Sequence, residues 1–459
     1  MIDDTILEKA IKIISSAGDY ADIYIEEKTT LHIHLEEGKI ERISTGIDSG
    51  AGLRIVKNFK TFYAHTNDLK GDSIISLAHD LSRLAMSTDK ERIISIEKAI
   101  SPINFTILIR PEDVSVEKKT SILMEADRIA RCSPLIRQVS ITYGDTVKDI
   151  KIINSSGRIA EDKRTYITFV IHIIASQDGE LQASHESIGG LTGFEIFERE
   201  DPFAAAEKAA KRVLMMLRAR KAPAGRMPVV ISSEAGGTMI HEAIGHGLEA
   251  DLSQNGLSVF SGKKGQKVAS ELITVIDDAT LEGKRGSFRF DDEGTVSQKT
   301  LLVEKGVLKN FMYDIVTSMK DGVAPTGNGR RESYRHKPIP RMTNTLIAPG
   351  KDSPQEIIRT VERGLFVKKM GGGQVNTVTG DFVFEVQEGY LIEKGKISEP
   401  LRGATLTGNG PEVLKSIDMV GNDLGFSIGT CGKDSQGVPV SDAMPTVRIP
   451  ELVVGGIQQ

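Results

Sequence analysis

Between Ala21 and His65 apolar and polar residues alternate with a period of two, in runs covering 21–26, 31–35, 40–44, 50–56 and 60–65. This pattern constrains the fold more than any other feature of the chain. Successive side chains of a strand point to opposite faces, so alternation of this kind belongs to a half-buried sheet. Gly38, Gly46 and Gly50 punctuate the runs and predict short hairpins joined into an antiparallel meander. Ahead of it, Ile6, Leu7, Ala10, Ile11 and Ile14 recur at helical spacing, which predicts a helix ending near Gly18. A second helix is expected from Asp72 to Met86. Residues 1–100 therefore read as an N-terminal α+β domain.

A middle α+β domain is expected over residues 101–222. It starts with a strand at Phe105–Ile109 and a helix near Val116–Ala130, followed by β-rich runs at 139–154 and 164–176. A helix over Ala204–Leu217 closes it, and the breaker Lys221-Ala222-Pro223-Ala224-Gly225 marks the main boundary. Residues 223–459 are richer in Gly, Asp and Thr and read as a β-rich C-terminal domain. There a strand at Val229–Ser232 feeds a helix bearing two histidines, and Pro354–Arg363 is one of few further helices. The fold class is thus α+β, with N-terminal α+β domains around an antiparallel sheet and a β-rich C-terminal domain carrying the helix with the two histidines.

A chain of 459 residues with 39% hydrophobic content closes a full core without staples. Its 58 basic and 63 acidic residues leave a net charge of -5, which argues against nucleic acid as the main partner. The two cysteines, Cys132 and Cys431, exclude a disulfide framework and fit the reduced thiols of a cytosolic protein. The acidic start Met1-Ile2-Asp3-Asp4 has no secretory pattern, and runs such as 167–175 fall far short of the ~20 residues of a membrane span. A cytoplasmic protein with no membrane partner is expected.

The chemistry concentrates in His241-Glu242-Ala243-Ile244-Gly245-His246-Gly247-Leu248-Glu249. Two imidazoles can hold a zinc ion, and an adjacent carboxylate can take a proton from water there. Yet the histidines are five apart, not four. On a regular helix their side chains would diverge by about 140°. Both reach one ion only if the helix ends between them or widens into a π-type turn, a distortion that Gly245 and Gly247 would ease. Otherwise the two are unrelated helix residues, one buried and one solvated. Cys431, between glycines in Ser427-Ile428-Gly429-Thr430-Cys431-Gly432-Lys433, is a candidate third ligand that Lys433 could help ionise; the alternative is a small buried cysteine.

Other polar clusters are open to two readings each. Glu249 could support a ligand, though a solvated helix face suits it better. Asp277, Asp278, Asp291, Asp292 and Glu293 could form a hard-cation site, but acidic pairs at loop ends more often cap strands and turns. Arg330, Arg331 and Arg341 are candidates for holding a peptide carboxylate or backbone. Gly371-Gly372-Gly373 lacks the ending of a phosphate loop and reads as a tight turn near the active site, with Gly372 and Gly373 as candidate substrate contacts.

The motif at 241–249 resembles the signature of the TldD/PmbA proteins. So do Ile276-Asp277-Asp278, Phe290-Asp291-Asp292-Glu293-Gly294, Thr326-Gly327-Asn328-Gly329-Arg330-Arg331, Pro340-Arg341-Met342-Thr343-Asn344-Thr345, Gly371-Gly372-Gly373-Gln374 and Gly429-Thr430-Cys431-Gly432-Lys433. The resemblance covers essentially the whole chain, more weakly in its N-terminal half; Ala250 and Asp434-Ser435-Gln436 depart from the pattern without removing a ligand. It implies a TldD-like metallopeptidase subunit, with one zinc ion held by His241, His246 and Cys431 and with Glu242 as general base. It also implies small or unfolded peptides as substrates, and either a homodimer or a heterodimer with a PmbA/TldE-like homologue. The competing readings are a non-catalytic peptide-binding scaffold and a zinc hydrolase of non-peptide amides.

Overall fold

The computed structural model describes residues 2–85 and 94–456. The alternating runs do form strands, but longer ones than expected. β1 (Tyr20–Glu36) and β2 (Lys39–Lys57) pair along their whole length with one irregularity at His34/Leu35. Gly38 makes the turn, at φ 74°. Gly46 and Gly50 lie inside β2 and turn nothing. A Cβ on Gly50 would stand 2.2 Å from the Tyr334 ring, so this glycine admits a side chain of the C-terminal domain.

The rest of the N-terminal half comprises α1 (Asp4–Ser15), β3 (Lys60–Thr66), α2 (Gly71–Leu84), β4 (Glu97–Lys98), α3 (Val116–Ala130), β5 (Ile136–Asn154), β6 (Arg158–Gln177), β7 (Glu180–Leu191), α4 (Ile196–Arg199) and α5 (Pro202–Arg218). Met86, the expected end of the second helix, lies outside the described residues. The expected strand at 105–109 joins no ladder. Ile109 N–H donates instead to Glu195 Oε2 at 2.9 Å, and its carbonyl accepts from Phe194 N–H at 2.7 Å, so a neighbouring loop satisfies its backbone.

The strands form one sheet in the order β3-β2-β1-β5-β6-β4, with β7 also on β6. β1 pairs with β5 from Asp22 opposite Asn154 to Glu36 opposite Ser140. The expected division at residue 100 therefore falls within a single continuous sheet. On β1 the odd-numbered Ile23, Ile25, Leu31 and Ile33 pack under the helices: α1 and α2 cover the first pair, α3 and α5 the second. The even-numbered Asp22, Tyr24 and Glu26 are also buried, and Tyr24 packs with Phe290 and Tyr334 of the C-terminal domain. Over residues 22–26 β1 is thus covered on both faces, and its polar-looking face there is an internal interface.

After β8 (Arg220–Lys221) and β9 (Gly225–Ile231), two large sheets and a two-stranded ladder of Gly329–Arg330 with Ile339–Pro340 build the C-terminal half. In one, hydrogen bonding passes from β9 through strands 447–455, 405–409, 381–393 and 363–375 back to β9, which closes a five-stranded ring. The other is a six-stranded sheet that ends in the strands Gln436–Met444 and, at its edge, Gly425–Lys433. The largest core cluster, including Met239, Ile240, Ile244, Leu248, Phe384 and Val440, lies in this half. The histidine-bearing segment runs through that core. Among the described residues no helix is long and apolar enough to cross a membrane.

Candidate metal centre

The segment from β9 to the histidines is fixed by close backbone approach. Gly236 adopts φ 75°, and a Cβ on Gly237 would stand 2.3 Å from Ala443 N. Gly237 N–H donates to Ser427 Oγ at 3.2 Å, which docks the first turn against the two strands of the edge hairpin. Thr238–Ile240 is α-helical; His241–Gly245 then widens into a π turn closed by His246 N–H bonding to His241 O. A tight turn, His246–Leu248, follows. The widened turn answers the five-residue spacing, and the two imidazoles meet edge to face with centroids 5.0 Å apart.

Gly245 plays a different part from the one its conformational freedom predicts. Its φ of -56° is open to any residue. A Cβ there would stand 2.2 Å from Met342 Sδ, and one on Gly247 would stand 2.7 Å from the Phe260 ring. Both glycines let neighbours pack against the distorted turn.

Cys431 faces the histidines from the edge strand, where it pairs with Val438 and is 3% exposed. Its Sγ is 3.5 Å from His246 Nε2, and one donor atom from each of His241, His246 and Cys431 falls within 4.8 Å of the others. Zinc bonds of 2.0–2.3 Å at a tetrahedral angle would set nitrogen and sulfur about 3.6 Å apart. The donors fit. Burial opposes ionisation of the Cys431 thiol, but the two imidazoles outweigh it and bring the thiol down to about 5. His241 Nδ1 is buried without a hydrogen-bond partner, 3.6 Å from Asp442 Oδ2. Two imidazoles and a readily ionised thiol form a donor set that would suit zinc.

Glu249 is not solvated. It is 0% exposed, with Oε2 3.1 Å from His246 Nδ1 and 3.1 Å from Lys433 Nζ, and Oε1 4.0 Å from Arg341 Nε. Burial would raise its carboxyl, but the Lys433 cation and His246 hold it down at about 2. Lys433 therefore serves this carboxylate and Asp251, at 2.7 Å, rather than the Cys431 thiol. With its Nδ1 engaged, His246 presents Nε2 to the donor cluster.

Glu242 and His241 line a cleft of about 520 Å³ together with Glu186, Lys369, Ser427 and Asp442. Burial raises the Glu242 carboxyl above its ordinary range while the imidazoles pull the other way. The cleft runs between β7 and the strand Gly425–Lys433, each the edge of its sheet. Asp442 was not singled out in the sequence. It reaches His241 only because the hairpin register sets it opposite Ser427, whose hydroxyl it accepts.

The three arginines do not line this cleft. Arg330, 2% exposed, donates to Met342 O at 2.6 Å and Pro439 O at 2.7 Å. Arg331, also 2% exposed, donates to Asp292 O at 2.9 Å and lies 3.4 Å from Asp22 Oδ1. Arg341, fully buried, donates to Gln436 O at 3.2 Å and to Cys431 O, and so braces the strand that carries the thiol. Gly371 lines the cleft, but Gly372 lies in an adjoining cavity and Gly373 in a bulged strand where a Cβ would stand 1.9 Å from Phe384. The triplet is thus strand rather than a tight turn. The acidic residues are internal acceptors: Asp277 for Thr343, Thr345 and Asn328, Asp292 for Arg164, Glu293 for Arg54.

Three family models match in chain order: PmbA/TldA metallopeptidase domain 1 over residues 21–85, the central domain over 109–217 and the C-terminal domain over 224–456. A metalloprotease TldD homologue of Haemophilus influenzae is 38% identical over 448 residues, 95% of this chain and 93% of that protein. A metalloprotease of Methanocaldococcus jannaschii is 37% identical over 449 residues, 96% and 98%. A protein named zinc metalloprotease TldD homologue, from Saccharolobus solfataricus, is 28% identical over 452 residues, 98% and 99%. The fold matches TldE from Thermococcus kodakarensis with a TM-score of 0.80 at 18% identity, over 98% of this chain and 100% of that one. It also matches a Thermotoga maritima protein described as a proposed modulator of DNA gyrase, with a TM-score of 0.82 at 22% identity over 98% and 100%. The widened histidine turn, the facing cysteine and these matches along the whole length place the chain in the PmbA/TldD metallopeptidase family.

Proposed function

We propose that this chain is a zinc-dependent peptidase acting on small or unfolded peptides. One observation carries the reading: Glu242 lines the cleft beside His241, whose donor atom clusters with those of His246 and Cys431. Bound there, zinc would polarise the scissile carbonyl and lower the pKa of a coordinated water toward about 7. The remaining work falls to the chain. Glu242, partly shielded from solvent and with a raised pKa, is placed to accept the water proton and return it to the leaving amine. Glu249 fixes the His246 ring, and Asp442 stands beside the outer nitrogen of His241. β7 and the strand Gly425–Lys433 offer backbone groups to an extended peptide, which gives affinity with little dependence on side chains. The named relatives support the peptidase class, and the resemblance to TldE supports a homologue of that kind as partner.

The test combines metal content with turnover. About one zinc per chain in the purified protein, lost in His241→Ala and Cys431→Ser, is the expected result. Glu242→Gln should keep the metal and lose hydrolysis of an unfolded peptide by at least about 100-fold. Full activity in Glu242→Gln would refute the assignment of the base. Hydrolysis of small amides but not of peptides would point to the non-peptide hydrolase instead.

A further inference from the structure

A second cavity, of about 250 Å³, opens where the N-terminal sheet meets the edge hairpin. Its lining is cationic on balance: Lys28, Lys148 and Arg164 from the sheet and Arg285, Arg330 and Arg331 from the C-terminal half stand against the carboxylates of Asp292 and Glu332. Some of these charges are already balanced. Lys148 lies 3.0 Å from Glu26, and Arg331 lies 3.4 Å from Asp22. Arg285 and Arg330 differ: among the described residues neither forms an ion pair with a carboxylate. Arg330 gives its two terminal nitrogens to carbonyl oxygens, and its buried Nε has no partner. Arg285 donates to Gly429 O and, at 3.2 Å, to Thr430 Oγ1, and its buried Nε is likewise unpartnered. Burial weakens both cations, and Arg330 falls to about 10. A guanidinium without a counter-ion is costly when buried, as Arg330 is, and an anion between it and the half-buried Arg285 reduces that cost.

We propose that this cavity is an oxyanion site, taking a carboxylate or phosphate group between Arg285, Arg330 and Lys28. Its place in the fold connects it to the metal cleft. Thr430 lines both cavities and immediately precedes Cys431 on the edge strand. A peptide lying along that edge would bring a terminal or side-chain carboxylate to the site. A free phosphate presents the same oxygens to the same donors. The peptide-borne source rests on the peptidase reading above; the free-anion source does not.

The experiment uses the full-length protein as purified, with Lys28→Gln and Arg285→Gln as variants. Lys28 is half-buried on the sheet, so its replacement tests the site without disturbing the carbonyls that Arg285 and Arg330 hold. Calorimetric titration with inorganic phosphate forms one arm. Titration with one peptide as free acid and as C-terminal amide, in the catalytically silenced Glu242→Gln background, forms the other. Phosphate binding that weakens at least tenfold in both variants supports the site and names a free oxyanion as its ligand. A tenfold preference for the acid over the amide, lost in both variants, supports it and names the peptide carboxylate. Phosphate affinity and acid preference both unmoved by the two substitutions overturn the proposal, whether or not the protein hydrolyses peptides.

Discussion

Replacing Glu249 by Gln preserves shape and removes one buried charge, and its consequences can be worked from three contacts. The carboxylate lies 3.1 Å from His246 Nδ1 and 3.1 Å from Lys433 Nζ, with Arg341 Nε at 4.0 Å. Because an ionised carboxylate only accepts, it fixes the proton on Nδ1 and leaves the Nε2 lone pair for a metal. An amide offers both a donor and an acceptor, so the tautomer is no longer fixed. Loss of such a supporting partner typically weakens metal binding 10–100-fold, or about 1.4–2.8 kcal/mol. Stability falls as well, but by less than the ~3–5 kcal/mol of an isolated broken pair, because Lys433 keeps Asp251 at 2.7 Å. We expect about 2 kcal/mol in the metal-free protein. Zinc competition with a chromophoric chelator reads the first quantity, and urea unfolding after metal removal reads the second. Glu249→Asp, one methylene shorter, should fall between wild type and Glu249→Gln. A folded Glu249→Gln variant that binds zinc within twofold of wild type would refute the reasoning.

Three further substitutions test other parts of the account. Gly245→Ala drives a Cβ to 2.2 Å from Met342 Sδ, so urea unfolding should show a loss of about 1–3 kcal/mol; no loss would mean that the π turn has room to spare. Arg54 is fully buried, 2.6 Å from Glu293 Oε1 and 2.7 Å from Asp22 Oδ2. Arg54→Met strands Glu293 and leaves Asp22 with Arg331 alone at 3.4 Å, so it should cost about 3–5 kcal/mol in the same assay, whereas an unchanged midpoint would show the network to be neutral. His185 on the cleft wall is held down to about 4 by burial and by the nearby Lys369 cation. The folded state then binds fewer protons than the unfolded one between about pH 4 and the ordinary histidine range near 6.5. Its contribution is therefore present above pH 6.5 and lost progressively as the pH falls toward 4. The stability difference between wild type and His185→Gln should shrink over that window, and a pH-independent difference would contradict the shift.

What the sequence made legible follows from whether the determining contact is local. If His241 and His246 serve one ion, their spacing requires a widened or broken helix whatever surrounds it, and the π turn at 241–245 meets that requirement. The helices at 4–15, 116–130 and 202–218 likewise follow from periodicity and capping. Cys431 is different: its flanking glycines and zinc-binding thiol made it a candidate, but 185 residues separate it from His246, and only the register of an edge hairpin against a docked helix brings them together, so no spacing tied it to the histidines. The burial of the arginines, away from the metal cleft, was hidden for a physical reason. A run such as Gly329-Arg330-Arg331 looks like a surface that meets ligands, because charged residues are seldom buried without partners. Here the partners are carbonyls and carboxylates far along the chain, including Asp22 of the first long strand. The same long-range packing explains Gly50, which reads as a turn and instead makes room for Tyr334. Both cases lie where the N-terminal sheet meets the C-terminal half. One face of β1 meets helices built from the same half of the chain and could be read from its pattern. The other, carrying Asp22, Tyr24 and Glu26, is polar by sequence and buried by assembly. Local alternation assigns such a face to solvent, and only the ion pairs that cross it reveal that it joins the two halves.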